Sequence, residues 1–310
     1  GVTFTPALGF FPDEAVEEGK NNSDPREWPE DWWKHAHGAA IPTAGRWFDV
    51  HMKVDVPANL QVNATGEKVA ERVANGRRTT EWRTDHPVRI YNLIAGEWKV
   101  KTRDGVAVYY DPRHPYNVDE MLDALEGARR WYGEWFAPYP WKQLRLSEFA
   151  GWPTYAQAPA GNISFSEGIG FLTRSKPEAS AAFWIAAHES AHMWWPNMAM
   201  VGDGPGCEVL SEGMAHFSTL LLVEKMRGER QRQAFATQME NRYGRLRQRD
   251  SERPLVKIDG KLPGDTRIWY DKGGWALWML HRFQGEERSL AAIREYMATF
   301  RDSRDHAALE

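Results

Sequence analysis

Residues 181–197 read AAFWIAAHESAHMWWPN, and this stretch decides the fold. Its first seven residues are apolar on every side of a helix, which predicts a helix buried all round rather than an amphipathic surface helix. His188 and His192 follow at a spacing of four, so both imidazoles stand one turn apart on one face. Two neutral imidazoles placed in this way can reach one Zn²⁺ and leave positions for a third ligand and a water. Glu189 lies beside them, where a carboxylate can take the proton of a metal-activated water. Three polar groups at the most buried end of an apolar helix need partners, and a bland core helix would not supply them. Pro196 predicts the end of that helix.

The third ligand lies elsewhere. A motif supplying three histidines by itself needs Gly at 195 and His at 198, but those positions hold Trp195 and Met198. Residues 207–226, CEVLSEGMAHFSTLLLVEKM, predict a second apolar helix on which Glu208, Glu212 and His216 recur every four residues along one face. A carboxylate from a second helix completes a His, His, Glu and water set. Glu212 is taken as that ligand, with Glu208 and His216 supporting the ligands or facing the cleft.

Outward from these helices the chain divides into three stretches. Residues 1–45 mix charge, Pro and Trp without a period and read as an irregular segment packing on the rest, with Trp28, Trp32 and Trp33 as plugs. Residues 46–112 read as an antiparallel β module. Phe48, Val50, Met52, Val54 and Val56 alternate with polar residues, and shorter strands are expected at 60–64, 79–83, 88–93, 97–101 and 106–110. Asp104-Gly105 is a hairpin turn signal. Residues 113–310 read as mostly helical: a helix from an Asn117 cap boxed by Glu120 to about Phe136, then helices at 178–195, 206–227, 229–247, 271–284 and 289–301. Gly228 and Gly285 are expected stops, and Ser289 a start. The class is α+β, a β module followed by a helical one.

Composition narrows the function classes. The 310 residues carry 39 Lys plus Arg against 43 Asp plus Glu, a formal charge of −4, which lacks the electrostatic footprint of a nucleic-acid binder. One cysteine, Cys207, excludes a disulfide framework. No run approaches the roughly 18–20 apolar residues of a membrane span. The chain opens at Gly1 and reads as a piece of a longer one, whose other parts are where a targeting or membrane-tethering segment would lie. The 16 Trp residues cluster near the motifs: Trp184, Trp194 and Trp195 by the histidines, Trp269, Trp275 and Trp278 further on, and Trp152 upstream. They are expected to form the walls of one cleft.

These motifs resemble the aminopeptidase N family of gluzincin zinc metallopeptidases, which includes the leukotriene hydrolases. HESAHMWWPN is similar to that family's HExxHxWWGN helix, and LSEGMAHF to its LNEGFAxY helix, which places the third ligand on Glu212. Nineteen residues separate His192 from Glu212 where the family has eighteen, so the Gly-rich loop at 202–206 is expected to hold the extra one. WYDKGGWALWML resembles the family's YxKG segment, which implies that Tyr270 hydrogen-bonds the tetrahedral oxyanion; a preorganised donor of that kind lowers the barrier. ISFSEGIGFLT resembles the GAMEN segment, which implies that Glu167 binds the substrate's free amine, although Ser164, Ser166 and Gly168 replace its Gly, Met and Asn. The resemblance further implies a saddle-like β domain, here partial over 46–112, and a thermolysin-like catalytic domain over 113–310. The SEGIGF and LSEGMAHF variants also look like a bacterial branch joined to transporter-permease segments, which would put the domain on the extracytoplasmic face of a membrane, with the cytoplasm as the alternative.

The expected chemistry is peptide hydrolysis by one Zn²⁺ held by His188, His192 and Glu212, with Glu189 as base and Tyr270 and Glu167 in the roles above. The substrate is a peptide, cut at its N-terminal bond. Two alternatives stand: a weakly active or non-catalytic peptide-binding module tethered to a membrane transporter, and an endopeptidase or other hydrolase using the same zinc.

Overall fold

The computed structural model describes residues 47–301 apart from 152–154, 177, 200, 202–203, 248–251 and 261. The expected N-terminal segment 1–45 and Trp152 lie outside the described residues. The described residues open with five strands: β1 (His51–Pro57), β2 (Gln61–Ala64), β3 (Glu67–Ala74), β4 (Arg77–Arg83) and β5 (Leu93–Gly96). β1, β4 and β3 form an antiparallel sheet in that order, and β2 pairs antiparallel with β5. Met52, Val54 and Val56 of β1 point inward with Leu93 onto Val62, Ala64 and Trp82, as the alternation predicts.

Two features of this module depart from the sequence reading. β3 was not foreseen, because six of its eight residues are exposed and an edge strand wet on both faces shows no period. Its turn was nevertheless written in the chain: Asn75 and Gly76 have φ of 50° and 73°, the two positive values of a tight hairpin. At 88–93 there is no strand but a single bridge between Phe48 and Val88, with pairing resuming at Leu93.

β6 (Lys99–Arg103) and β7 (Val106–Tyr110) are joined by Asp104-Gly105 at φ 44° and 80°, the expected hairpin. The two-residue turn sets Arg103 opposite Val106, which moves β6 two residues beyond the expected 97–101. After α1 (Val118–Trp135) come β8 (Leu144–Phe149), β9 (Ala156–Gln157) and β10 (Asn162–Ser166). The sheet order is β6-β7-β8-β10-β9, with β7 parallel to β8 and β8 parallel to β10. This mixed sheet therefore crosses residue 112, and three of its strands lie within the stretch read as mostly helical.

α1 packs across it. Asn117 stands at its start at φ 58°, and its side chain does not close a capping box. It instead donates to the Gly170 and Thr173 carbonyls and accepts from the Ser175 amide at 2.8 Å, pinning the segment that leads to the histidine helix. A single turn, α2 (Glu167–Gly170), follows β10, then α3 (Ala181–Ala191). α4 (Met214–Arg227) and α5 (Glu229–Leu246) meet at Gly228, with φ 85°, and α6 (Gly273–Gln284) and α7 (Glu286–Phe300) meet at Gly285, with φ 86°. Ser289 is not a start: it lies one turn inside α7, buried, with its hydroxyl against His281.

The two β modules are joined by buried polar contacts. Arg145 of β8 is 5 % exposed, donates to the Ala64 and Gly66 carbonyls at 2.6 Å, and lies 4.9 Å over the Trp82 ring. Asn63 of β2 reaches Ser147 and Asn162 on β8 and β10 at 2.5 and 2.6 Å. These Arg145 and Asn63 donors meet their acceptors only when the modules are docked, so register is specified as well as affinity. Among the described residues no helix is long and apolar enough to cross a membrane.

Candidate metal centre

α3 is capped by Ser180, whose hydroxyl accepts the Phe183 amide at 3.3 Å. Every residue of this helix is buried except Ala181 and Ile185. It lies against α1 and α4, and the Tyr132 hydroxyl of α1 donates to the Ala187 carbonyl at 3.3 Å. Trp194 and Trp195 are 0 % and 1 % exposed, donating to the Ala137 carbonyl and the Ser218 hydroxyl. These rings therefore pack beneath the helix and hold its end, rather than lining a cleft as the sequence reading expected.

Glu212 does not sit on regular α-helix. Residues Val209–Gly213 form a π turn leading into α4, and Ile268–Lys272, which carries Tyr270, forms a second one leading into α6. The wider turns rotate Glu212 and Tyr270 off the faces that a 3.6-residue period would give them, a device common at functional sites. The two turns touch through glycine: a Cβ on Gly213 would lie 3.1 Å from the Trp269 carbonyl oxygen.

The geometry brings three donor atoms together. Glu212 Oε2 lies 3.1 Å from His188 Nε2 and 3.3 Å from His192 Nε2, and the three ligand atoms fall within 4.8 Å of one another. Donors on a tetrahedral Zn²⁺ at 2.0–2.1 Å stand roughly 3.3 Å apart, so this set fits that ion. The remaining ring nitrogens are also occupied. His192 Nδ1 donates to the Trp195 carbonyl at 2.6 Å, so in the neutral ring it is the Nε2 lone pair that is left for a metal. His188 Nδ1 lies 2.8 Å from His216 Nδ1, and His216 Nε2 lies 2.8 Å from Arg242 Nη2. Arg242 also pairs with Asp271 at 2.6 Å. The sequence reading named His216 as a supporting residue but missed Arg242, one of many arginines on α5, and Asp271, whose only signal was its place next to Tyr270.

Electrostatics follow burial. Burial pushes the Glu189 carboxyl up to about 7, with the Glu212 charge adding to it and His192 opposing. A base near neutrality is well matched to proton transfer. Burial holds His188 down to about 3, hence neutral, as a ligand must be. For His192 burial also lowers, but the charge and hydrogen bond of Glu212 outweigh it and raise the ring to about 9. Burial opposes ionisation of Glu212, yet the two histidines hold its carboxyl well below the usual range. Glu208 is raised by burial and by the Glu212 charge. Burial first, then the Glu212 carboxylate, raises the Tyr270 hydroxyl, so it stays protonated and able to donate. Its ring stacks on His188 at 5.6 Å between centroids and 22° between planes.

Glu167 is placed in a second cluster. Its Oε1 accepts the Gly151 amide at 2.9 Å, and its Oε2 lies 3.7 Å from His114 Nε2. His114 Nδ1 is 3.1 Å from Glu148 Oε1, and the other Glu148 oxygen accepts the Asp111 amide at 2.6 Å. Burial raises Glu148 to about 7. Neither His114 nor Glu148 carried a sequence signal; a His on a loop and a Glu within a strand are common.

Comparison with known proteins bears on family and fold. The profile of the peptidase family M1 domain matches residues 120–307. An M1 zinc metallopeptidase from Deinococcus radiodurans is similar in fold, with a TM-score of 0.64 and 20 % identity over 84 % of this chain and 59 % of its own. A mutant of that protein bound to a Tyr-Ser-Ala substrate gives a TM-score of 0.63 and 20 % identity over 86 % of this chain and 59 % of its own. A two-domain M1 zinc metallopeptidase mutant bound to L-arginine gives 0.64 and 20 %, over 88 % of this chain and 60 % of its own. The chain thus spans about three-fifths of these structures. No curated protein matches the sequence.

Proposed function

The chain belongs to peptidase family M1, and from that premise we propose that it is a zinc-dependent peptidase acting on the N-terminal bond of peptides. The observation that carries this reading is the meeting of His188 Nε2, His192 Nε2 and Glu212 Oε2 at 3.1 and 3.3 Å, with buried Glu189 on the same helix. When bound there, zinc supplies Lewis-acid activation of a water and of the scissile carbonyl. Glu189, held near neutrality, accepts the proton of the attacking water and returns it to the leaving amine. The protonated Tyr270 hydroxyl donates to the developing oxyanion, a role supported by the stacking of its ring on His188. Glu167 pairs with the substrate ammonium, which makes a free N-terminus the specificity element.

The test measures zinc content and turnover of aminoacyl-anilides by the wild type and Glu189→Gln. We expect one zinc in both and a rate loss of about 10²–10⁴-fold in the variant. An active Glu189→Gln protein with its zinc intact would sink the mechanism. Equal cleavage of free and N-acetylated peptides would remove Glu167 from its role and turn the reading to endopeptidase.

A further inference from the structure

His216 makes contacts that packing alone does not explain. It is 5 % exposed on α4, one turn after Glu212, and its ring meets His188 edge to face at 4.7 Å. The Nδ1 atoms of the two rings are 2.8 Å apart, so one must carry the shared proton and the other must accept it. The far nitrogen of His216 has two neighbours of opposite kind. Arg242 Nη2 is 2.8 Å from it and can only donate; Asp271 Oδ1 is 3.6 Å from it and can only accept.

We propose that His216 is a positioning residue for His188, a two-way hydrogen-bond bridge that sets which nitrogen of His188 is left free for metal. The inference rests on the reading of His188 as a zinc ligand. Two arrangements leave both rings neutral. In the first, Arg242 donates to His216 Nε2, His216 Nδ1–H donates to His188 Nδ1, and His188 Nε2–H points at Glu212. In the second, His188 Nδ1–H donates to His216 Nδ1 and His216 Nε2–H faces the Asp271 carboxylate, which at 3.6 Å must close in while Arg242, a donor now 2.8 Å away, draws back toward Asp271. The shared proton crosses between the Nδ1 atoms, His188 Nε2 gives one up and His216 Nε2 gains one, so the number of protons is unchanged. Only the second arrangement frees the His188 Nε2 lone pair.

The surroundings suit such a bridge. Asp271 has no exposed side-chain surface, and its Oδ1 lies 2.6 Å from Arg242 Nη2 and 3.6 Å from His216 Nε2, so a small shift of Arg242 brings an acceptor to His216. The His216 ring is held by Tyr270 at 5.2 Å and Phe235 at 5.5 Å, and Gly274 closes on its Cβ. These contacts bracket the ring whose Nδ1 faces His188 Nδ1 at 2.8 Å.

Two substitutions separate hydrogen bonding from packing. His216→Phe keeps a ring and loses both nitrogens; His216→Asn loses the ring but keeps an acceptor close to the Nδ1 position. Zinc affinity is measured on the full chain by chelator competition, with Co²⁺ absorption as a second readout and His188→Ala as the ligand control. The bridge predicts a 10–100-fold loss of affinity in His216→Phe. It also predicts retention within about threefold in His216→Asn, where the carboxamide oxygen can still accept from His188 Nδ1. A His216→Phe chain that binds zinc as the wild type does, or equal losses in both variants, overturns the bridge while zinc in the wild type keeps the functional reading. A wild type without zinc, or zinc retained in His188→Ala, overturns that reading and the bridge with it.

Discussion

A Cβ on Gly274 would stand 2.6 Å from the Cβ of His216, closer than two side chains can approach. The first turn of α6 is thus pressed against the residue that contacts a candidate metal ligand. Gly274→Ala should cost about 1–3 kcal/mol by overpacking and weaken zinc binding as His216 shifts. Gly244, inside α5, has nothing within 4 Å of its would-be Cβ. Gly244→Ala should instead stabilise by about 0.5–1 kcal/mol, since alanine loses less backbone freedom in a helix. Thermal denaturation of both variants reads the opposite signs.

Tyr270→Phe keeps the ring stacked on His188 and removes only the donor. We expect kcat to fall about 10²–10³-fold, as for other oxyanion donors, with KM and zinc content little changed. A parallel rise in KM would point to substrate binding instead.

Zinc should stabilise the folded chain by mass action, by about 2.7 kcal/mol at one hundred times Kd. The rise in Tm on adding zinc should vanish in Glu212→Ala, which removes the oxygen at 3.1 Å from His188 Nε2 and 3.3 Å from His192 Nε2. Chelation should lower the wild-type Tm to that of the variant measured in chelator, apart from the variant's intrinsic change.

Glu148 is 2 % exposed and burial raises its carboxyl from 4.5 to about 7. A raised acid contributes stability that is full below its unfolded value near 4.5 and is lost as pH climbs through about 7. Glu148→Gln cannot titrate and keeps an oxygen for the Asp111 amide. Relative to wild type it should therefore gain stability between pH 5 and pH 8, by about 2–3 kcal/mol. Urea unfolding at the two pH values measures this; a constant difference would show that Glu148 ionises normally in the fold.

Much of the site was legible in the chain because its signals are local. His188 and His192 are four apart on an apolar helix, and that spacing alone puts them on one face. The Asp104-Gly105 and Asn75-Gly76 turns are equally local, although the second was overlooked because β3 is wet on both sides. Local reading failed where a side chain had a better distant partner. Asn117 gave up its cap to hold residues 170–175, and Ser289 served His281 instead of starting a helix.

The sequence by itself determined the α+β order, the buried histidine helix and the donor types available to it, since period and spacing are properties of neighbouring residues. Tertiary structure decided the rest. The two π turns set where Glu212 and Tyr270 point, and the packing of α5 and the Tyr270 turn against α4 brought Arg242 and Asp271 to His216. The same holds for Glu148, His114 and Glu167, which converge through parallel strand pairing and loop placement. Contacts of this kind join residues tens of positions apart, and their geometry is fixed only when the core closes around them.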